Sequence, residues 1–103
     1  MLLLNAFSLN MVHSIGTMEW EEVTTNDAKL FLSNGIESAV GHADTAAVFS
    51  SALGMDVPCQ RTTLSLRSGS EAIVGQYVGP RLPEGATTLP DGASIKWLHI
   101  SIL

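Results

Sequence analysis

The chain has 103 residues, with 10 acidic side chains against 5 basic ones, a formal net charge of −5 and a pI near 4.9. That length gives one domain, residues 1–103, with a single modest core, and 46% hydrophobic against 15% charged residues marks it as globular rather than disordered. The acidic balance argues against a protein that coats duplex DNA or long RNA, because such binding runs on many Lys/Arg–phosphate contacts. It leaves room for a small anionic ligand gripped by two or three arginines.

The single cysteine, Cys59, has no intramolecular disulfide partner, which is unlike a stapled secreted domain. Free cysteine is most often a small buried hydrophobe, so Cys59 is expected in or near the core. The N-terminus (MLLLNAFSLNMV) is apolar, but no Lys or Arg precedes Lys29, and Asn5, Ser8 and Asn10 interrupt the run. It is too short to span a bilayer. The expectation is a soluble cytoplasmic protein with no membrane partner.

In chain order, residues 2–7 (LLLNAF) form an apolar run of strand length, and residues 17–23 (TMEWEEV) a second strand. SLNMVHSIG between them reads as a loop. Thr24, Thr25 or Asn26 can cap a helix running to Leu32, with Ala28, Phe31 and Leu32 on one face, and Asn34-Gly35 ends it. A second helix is predicted over 43–53, with Ala46, Phe49 and Leu53 sharing a face and Gly54 as the stop. Residues 61–67 (RTTLSLR) alternate, with Thr62, Leu64 and Leu66 on one side, and Ser68-Gly69 leads into 71–78 (EAIVGQYV). The pair predicts an antiparallel hairpin. After a loop holding three of the four prolines comes a last strand, 94–102. The order β-β-α-α-β-β-β predicts an α+β fold, a mixed sheet of about five strands with two main helices packed on it. The proline-rich loop between 80 and 90 is stiff, and a structured loop on a small domain is a natural seat for function.

Gly41-His42 immediately precedes the second helix, where free backbone N–H groups and the positive dipole end make a phosphate seat. A histidine there can donate a proton to a leaving oxygen. A helix N-terminus disfavours imidazolium, which a bound phosphate would offset. The alternative for His42 is an ordinary capping or packing role. Arg61 opens a predicted strand and Arg81 lies in the stiff loop, where each can fork onto phosphate oxygens or serve as a surface ion pair. Alternation puts Gln76 with Ala72, Val74 and Val78, facing inward, so its amide must meet backbone or line a polar pocket. Glu84 is either a surface charge or a site carboxylate. His13 is a weaker candidate, and His99, alternating with Trp97 and Ser101, reads as structural. No His, Cys or carboxylate pair has metal-ligand spacing, so neither metal nor cofactor is expected.

Taken together, the segments L-N-A-F-S-L-N-M (4–11), S-A-V-G-H-A-D-T-A (38–46), Q-R-T-T-L-S-L (60–66), A-I-V-G-Q (72–76) and R-L-P-E-G (81–85) resemble the small viral and CRISPR-associated ring nucleases of the type III anti-CRISPR family. The resemblance implies a homodimer that binds cyclic tetra-adenylate, the second messenger of type III CRISPR complexes, and cleaves it without metal, in the host cytoplasm if the protein is viral. It implies that His42 is the general acid, with Glu84 and Arg81 beside it in catalysis. Gly41, Arg61, Gln76 and Arg81 fall at ligand-binding positions, and Ser8 and Asn10 in the polar loop that contacts the ring. One departure is the five-residue separation of Gln76 and Arg81, where four is the family's pattern. The extra residue, with Gly79-Pro80, suggests a bulge. A non-catalytic sensor or sponge for the same ligand is the competing expectation.

Overall fold

The structure, a computed structural model, describes residues 1–13 and 15–103. Ser14, in the predicted first loop, lies outside the described residues. Seven main elements follow in the order β1 (Leu2–Leu4), β2 (Met18–Val23), α1 (Thr25–Leu32), β3 (Glu37–Ala39), α2 (Ala43–Leu53), β4 (Glu71–Val78) and β5 (Ser94–Ile102), with a 3-10 turn over Leu9–Met11. The strands form one mixed sheet in the order β2-β5-β4-β1-β3. β1 runs parallel to both β3 and β4, whereas β5 is antiparallel to β4 and β2.

Strand alternation sends side chains to two different covers. On one face Leu3, Ile73 and Trp97 meet Ala28 and Leu32 of α1, Ala46, Phe49 and Leu53 of α2, and Val40 and Val57. On the other, Leu4, Ala72, Val74, Ile100 and Ile102 are covered by Leu66 with Phe7, Met11, Val12 and Leu64, from loops and the 3-10 turn. The two helices and five strands of the α+β reading are therefore present.

Local signals set both helices. Thr24 caps α1 through a reciprocal capping box: its Oγ1 accepts from Asp27 N at 3.1 Å, and Asp27 Oδ2 accepts from Thr24 N at 3.2 Å. Thr24→Ala is expected to lower stability by about 1 kcal/mol, read as a reduced urea midpoint at unchanged slope. Trp97 Nε1 donates to Thr25 Oγ1 at 3.1 Å and ties α1 to the sheet. α2 stops at Gly54, whose φ of 67° lies in the left-handed region.

Three expectations fail, each for a physical reason. Residues 61–67 are not a strand and form no hairpin with β4, because both edges of β4 are occupied, one by β5 and the other by β1. The alternation is real but serves the cover: Leu66 is buried, and its segment touches a strand partner only through an isolated bridge to Val12. Arg61 thus opens no strand. The fifth strand is instead β3, whose E-S-A carries no apolar run and whose buried Ser38 hydroxyl donates to Pro58 O at 2.6 Å. Gln76 is exposed rather than inward-facing, because the loop cover ends before it, and Val78 on the same side is exposed as well. Cys59 is also exposed, on the segment that leaves the core after Val57.

His99 is held structurally, as expected. Its ring stacks on Phe31 at 4.4 Å, and its Nε2 lies 3.3 Å from Glu71 Oε2. His13 Nε2 lies 3.1 Å from Ser65 Oγ and joins two stretches of the loop cover. No described helix is long and apolar enough to cross a membrane.

Candidate functional site

The three parallel strands β1, β3 and β4 end on one side of the sheet, so the chain segments that leave their carboxyl ends converge there. In open sheets this is where ligands bind, because loops and helix N-termini gather at that edge. After β3 the chain passes through buried Val40 into Gly41-His42 and α2. After β4 it enters Gly79–Glu84. Between these two segments lies a cavity of about 900 Å³, lined by His42, Asp44 and Thr45 from the start of α2 and by Tyr77, Gly79, Arg81, Leu82, Pro83 and Glu84 from β4 and its loop.

His42 occupies the N-cap of α2, in extended backbone, with no side-chain hydrogen bond to the helix. The first-turn N–H groups therefore stay open on that side, and the imidazole is exposed at their edge. Both ends of the loop are pinned. At its start the Tyr77 hydroxyl donates to Pro80 O, and at its end Gly85 N donates to Asp44 Oδ1 at 3.3 Å. Arg81 and Glu84 sit between the two ties. Among the described residues no arginine or lysine stands within ion-pair distance of a carboxylate, so Arg81 is not tied to the Asp44 or Glu84 carboxylates that share its cavity.

Arg61 reaches the same region from below. Residues 58–61 run alongside 38–41, with Gln60 N donating to Val40 O at 2.8 Å and Arg61 Nε donating to Gly41 O at 3.3 Å. Gly41 lies against the arginine, close enough that a Cβ there would be in van der Waals contact with Arg61 Cγ at 3.4 Å. The arginine stem lies against the backbone just ahead of His42.

Of the residues read from the sequence, His42, Arg81 and Glu84 line one cavity, and Gly41 and Arg61 abut its helix end. Gln76 is beside it in sequence only, with its Nε2 donating to Tyr77 O at 3.2 Å. Ser8 and Asn10 do not line it; Ser8 Oγ accepts from Asn10 N at 3.3 Å and caps the 3-10 turn. The register of β4 with β5 is unbroken from Glu71↔Ser101 to Val78↔Ser94, so the irregularity expected with Gly79-Pro80 falls beyond the strand. The extra residue is taken up by the loop, where Gly79 adopts φ 149°. Asp44, Thr45 and Tyr77 were missed by sequence reasoning. Asp44 and Thr45 stand inside one of the quoted segments, and Tyr77 is the chain's one tyrosine. No group of three or more His, Cys, Asp or Glu among the described residues is arranged to hold a metal ion.

Fold and cavity together define a small α+β protein with a ligand-sized crevice at the carboxyl ends of its parallel strands. The chain belongs to the STIV B116-like family, whose model matches residues 1–93. It is similar in structure to B116 of Sulfolobus turreted icosahedral virus, with a TM-score of 0.81 at 24% identity over 97% of each chain. That likeness establishes a shared fold with a viral protein. No curated protein matches the chain.

Proposed function

We propose that this protein is a homodimeric ring nuclease that binds cyclic tetra-adenylate and cuts it, without metal, to linear di-adenylates with 2′,3′-cyclic phosphate ends, switching off type III CRISPR signalling in the host cytoplasm. The observation that carries the reading is the convergence of His42, Arg81 and Glu84 on one cavity at the open N-terminus of α2. In the reaction a ribose 2′-oxygen bonds to the adjacent phosphorus as the bond from phosphorus to the 5′-oxygen breaks. Glu84 takes the 2′-hydroxyl proton, and the His42 imidazolium gives its proton to the departing 5′-oxygen. Arg81 and the first-turn N–H groups of α2 stabilise the charge on the phosphorane, and the rigid loop holds the ring in line. A cavity of about 900 Å³ is the size of an ordinary small-molecule site. A four-nucleotide ring is larger and spans two such cavities, which a two-fold dimer supplies.

The test is incubation of the purified protein with labelled cyclic tetra-adenylate in excess EDTA, resolved for products. Linear di-adenylates support the proposal. Binding without cleavage indicates the sensor or sponge instead. A protein that shows no thermal shift, where a ligand at 100 times its Kd gives about 2.7 kcal/mol of stabilisation, binds no such ring.

The Asp44–Gly85 tie gives a second expectation. Asp44→Ala frees the far end of the loop and should slow cleavage by about 10- to 100-fold, because small misplacements of catalytic groups are costly. Asp44→Asn keeps an acceptor for the Gly85 N–H and should restore most of the rate. The comparison is made by single-turnover kinetics on variants of matched thermal stability.

A further inference from the structure

The outer edge of the sheet is formed by β2, which has a neighbour on one side only. Its hydrogen-bonding parity can be worked out from the register. Leu103 N donates to Thr17 O at 2.8 Å, which makes Thr17 and Leu103 a hydrogen-bonded pair and continues the register Met18↔Ile102. In an antiparallel ladder such pairs alternate, so Glu19, Glu21 and Val23 spend their backbone groups on β5. The N–H and C=O groups of Met18, Trp20 and Glu22 therefore point outward from the sheet. All three residues are exposed, and Trp20 retains 62% of its surface in solvent.

Side chains alternate along this edge as well. Glu19 and Glu21 project on the helix side, where they line a second cavity of about 270 Å³ with His99 and Ser101. Met18 and Trp20, opposite Ile102 and Ile100, project on the other side as an exposed apolar pair, with Glu22 next along the same side. An edge with free backbone groups, a cavity between alternate side chains and an exposed aromatic residue is the arrangement that accepts an added strand. Charge then selects the occupant. Antiparallel pairing of two copies about Trp20 would set Glu19 of each copy opposite Glu21 of the other, and like charges directly opposite destabilise a sheet. Glutamates on an edge strand do guard against self-association, but that role does not call for an exposed tryptophan.

We propose that the β2 edge is a docking strand for an extended cationic segment of a partner protein, in which Lys or Arg alternates with aliphatic residues. The cationic side chains enter between Glu19 and Glu21, and the aliphatic ones lie on Trp20 and Met18. The surface is separate from the cavity at α2 and does not depend on what that cavity binds.

The experiment is amide hydrogen exchange on the full chain, with a short synthetic peptide alternating lysine and valine. Its controls are the same peptide N-methylated along one edge and a peptide alternating glutamate and valine. The lysine peptide should slow exchange at the Met18, Trp20 and Glu22 amides by about tenfold or more, and the methylated peptide should not. Glu19→Lys combined with Glu21→Lys should transfer the preference to the glutamate peptide. Trp20→Ser, at a surface position that leaves the core intact, should weaken binding. Three results overturn the proposal: no protection at these amides, equal protection by both peptides, or protection that grows with protein concentration alone. The last would identify the occupant as a second copy.

Discussion

His42→Ala is expected to keep its affinity for cyclic tetra-adenylate and to cleave it about 10²–10⁴-fold more slowly, the usual share of a general acid. The proposed binding contacts come from the α2 backbone, Arg61 and Arg81, none of which is altered by truncating the imidazole. Stability is unaffected for the same reason: His42 is exposed and makes no side-chain cap to its helix. A second substitution separates chemistry from capping. Asn is among the preferred N-cap residues because its side-chain oxygen accepts from the first-turn N–H groups. His42→Asn should therefore raise stability by about 0.5–1 kcal/mol while losing cleavage as fully as alanine does. Single-turnover cleavage alongside urea unfolding of the three proteins decides the matter: near-normal turnover in either variant removes His42 from the reaction.

The parts of the fold legible in the sequence are those set within a few residues. Thr24 and Gly54 mark helix ends because capping and left-handed termination are local events, and β5 is legible because it is long and, from Trp97 onward, covered on both faces. The failures concern pairing between distant segments. Nothing within 61–67 reveals that β4 already has two neighbours, since one of them, β1, is supplied by the chain's first residues. β3 is invisible for the complementary reason: it is a strand through its pairing with β1, and Ser38 is buried because Pro58 O accepts its hydroxyl. Gln76 shows the limit of periodicity, which gives the side of the sheet but not how far along it the cover extends.

The candidate site divides in the same way. His42 and Arg81 carry chemistry that can be read from residue type and neighbours, a histidine ahead of a helix and an arginine in a proline-stiffened loop. Asp44 and Tyr77 act on backbone atoms, one of Gly85 and the other of Pro80. A backbone partner has no sequence signature, so residues that shape a loop stay hidden until the loop is seen. Sequence therefore finds the charged and titratable groups of the cavity before it finds those that shape the loop around them.

Gly75→Ala should destabilise the protein by about 1–3 kcal/mol even though alanine is the better strand residue. Gly75 is buried opposite Trp97 in the ladder and beneath Phe49 of α2, and the two rings lie 5.1 Å apart above it. A Cβ at this position would stand 2.6 Å from Trp97 Cζ3 and 2.7 Å from Phe49 Cζ, well inside contact distance. The rings cannot rotate away in a core packed this closely, so α2 must lift from the sheet. Phe49→Ala alone removes a fully buried ring and should cost about 3–5 kcal/mol. The double variant should lose less than the sum of the two, because the space vacated by Phe49 receives part of the new methyl group. Since α2 also carries His42 at its start, Gly75→Ala should slow cleavage as well, by shifting the acid relative to Arg81 and Glu84. Urea unfolding of the two single variants and the double tests the packing claim. Strict additivity, or a Gly75→Ala protein as stable as the parent, would show that the helix does not rest on this glycine.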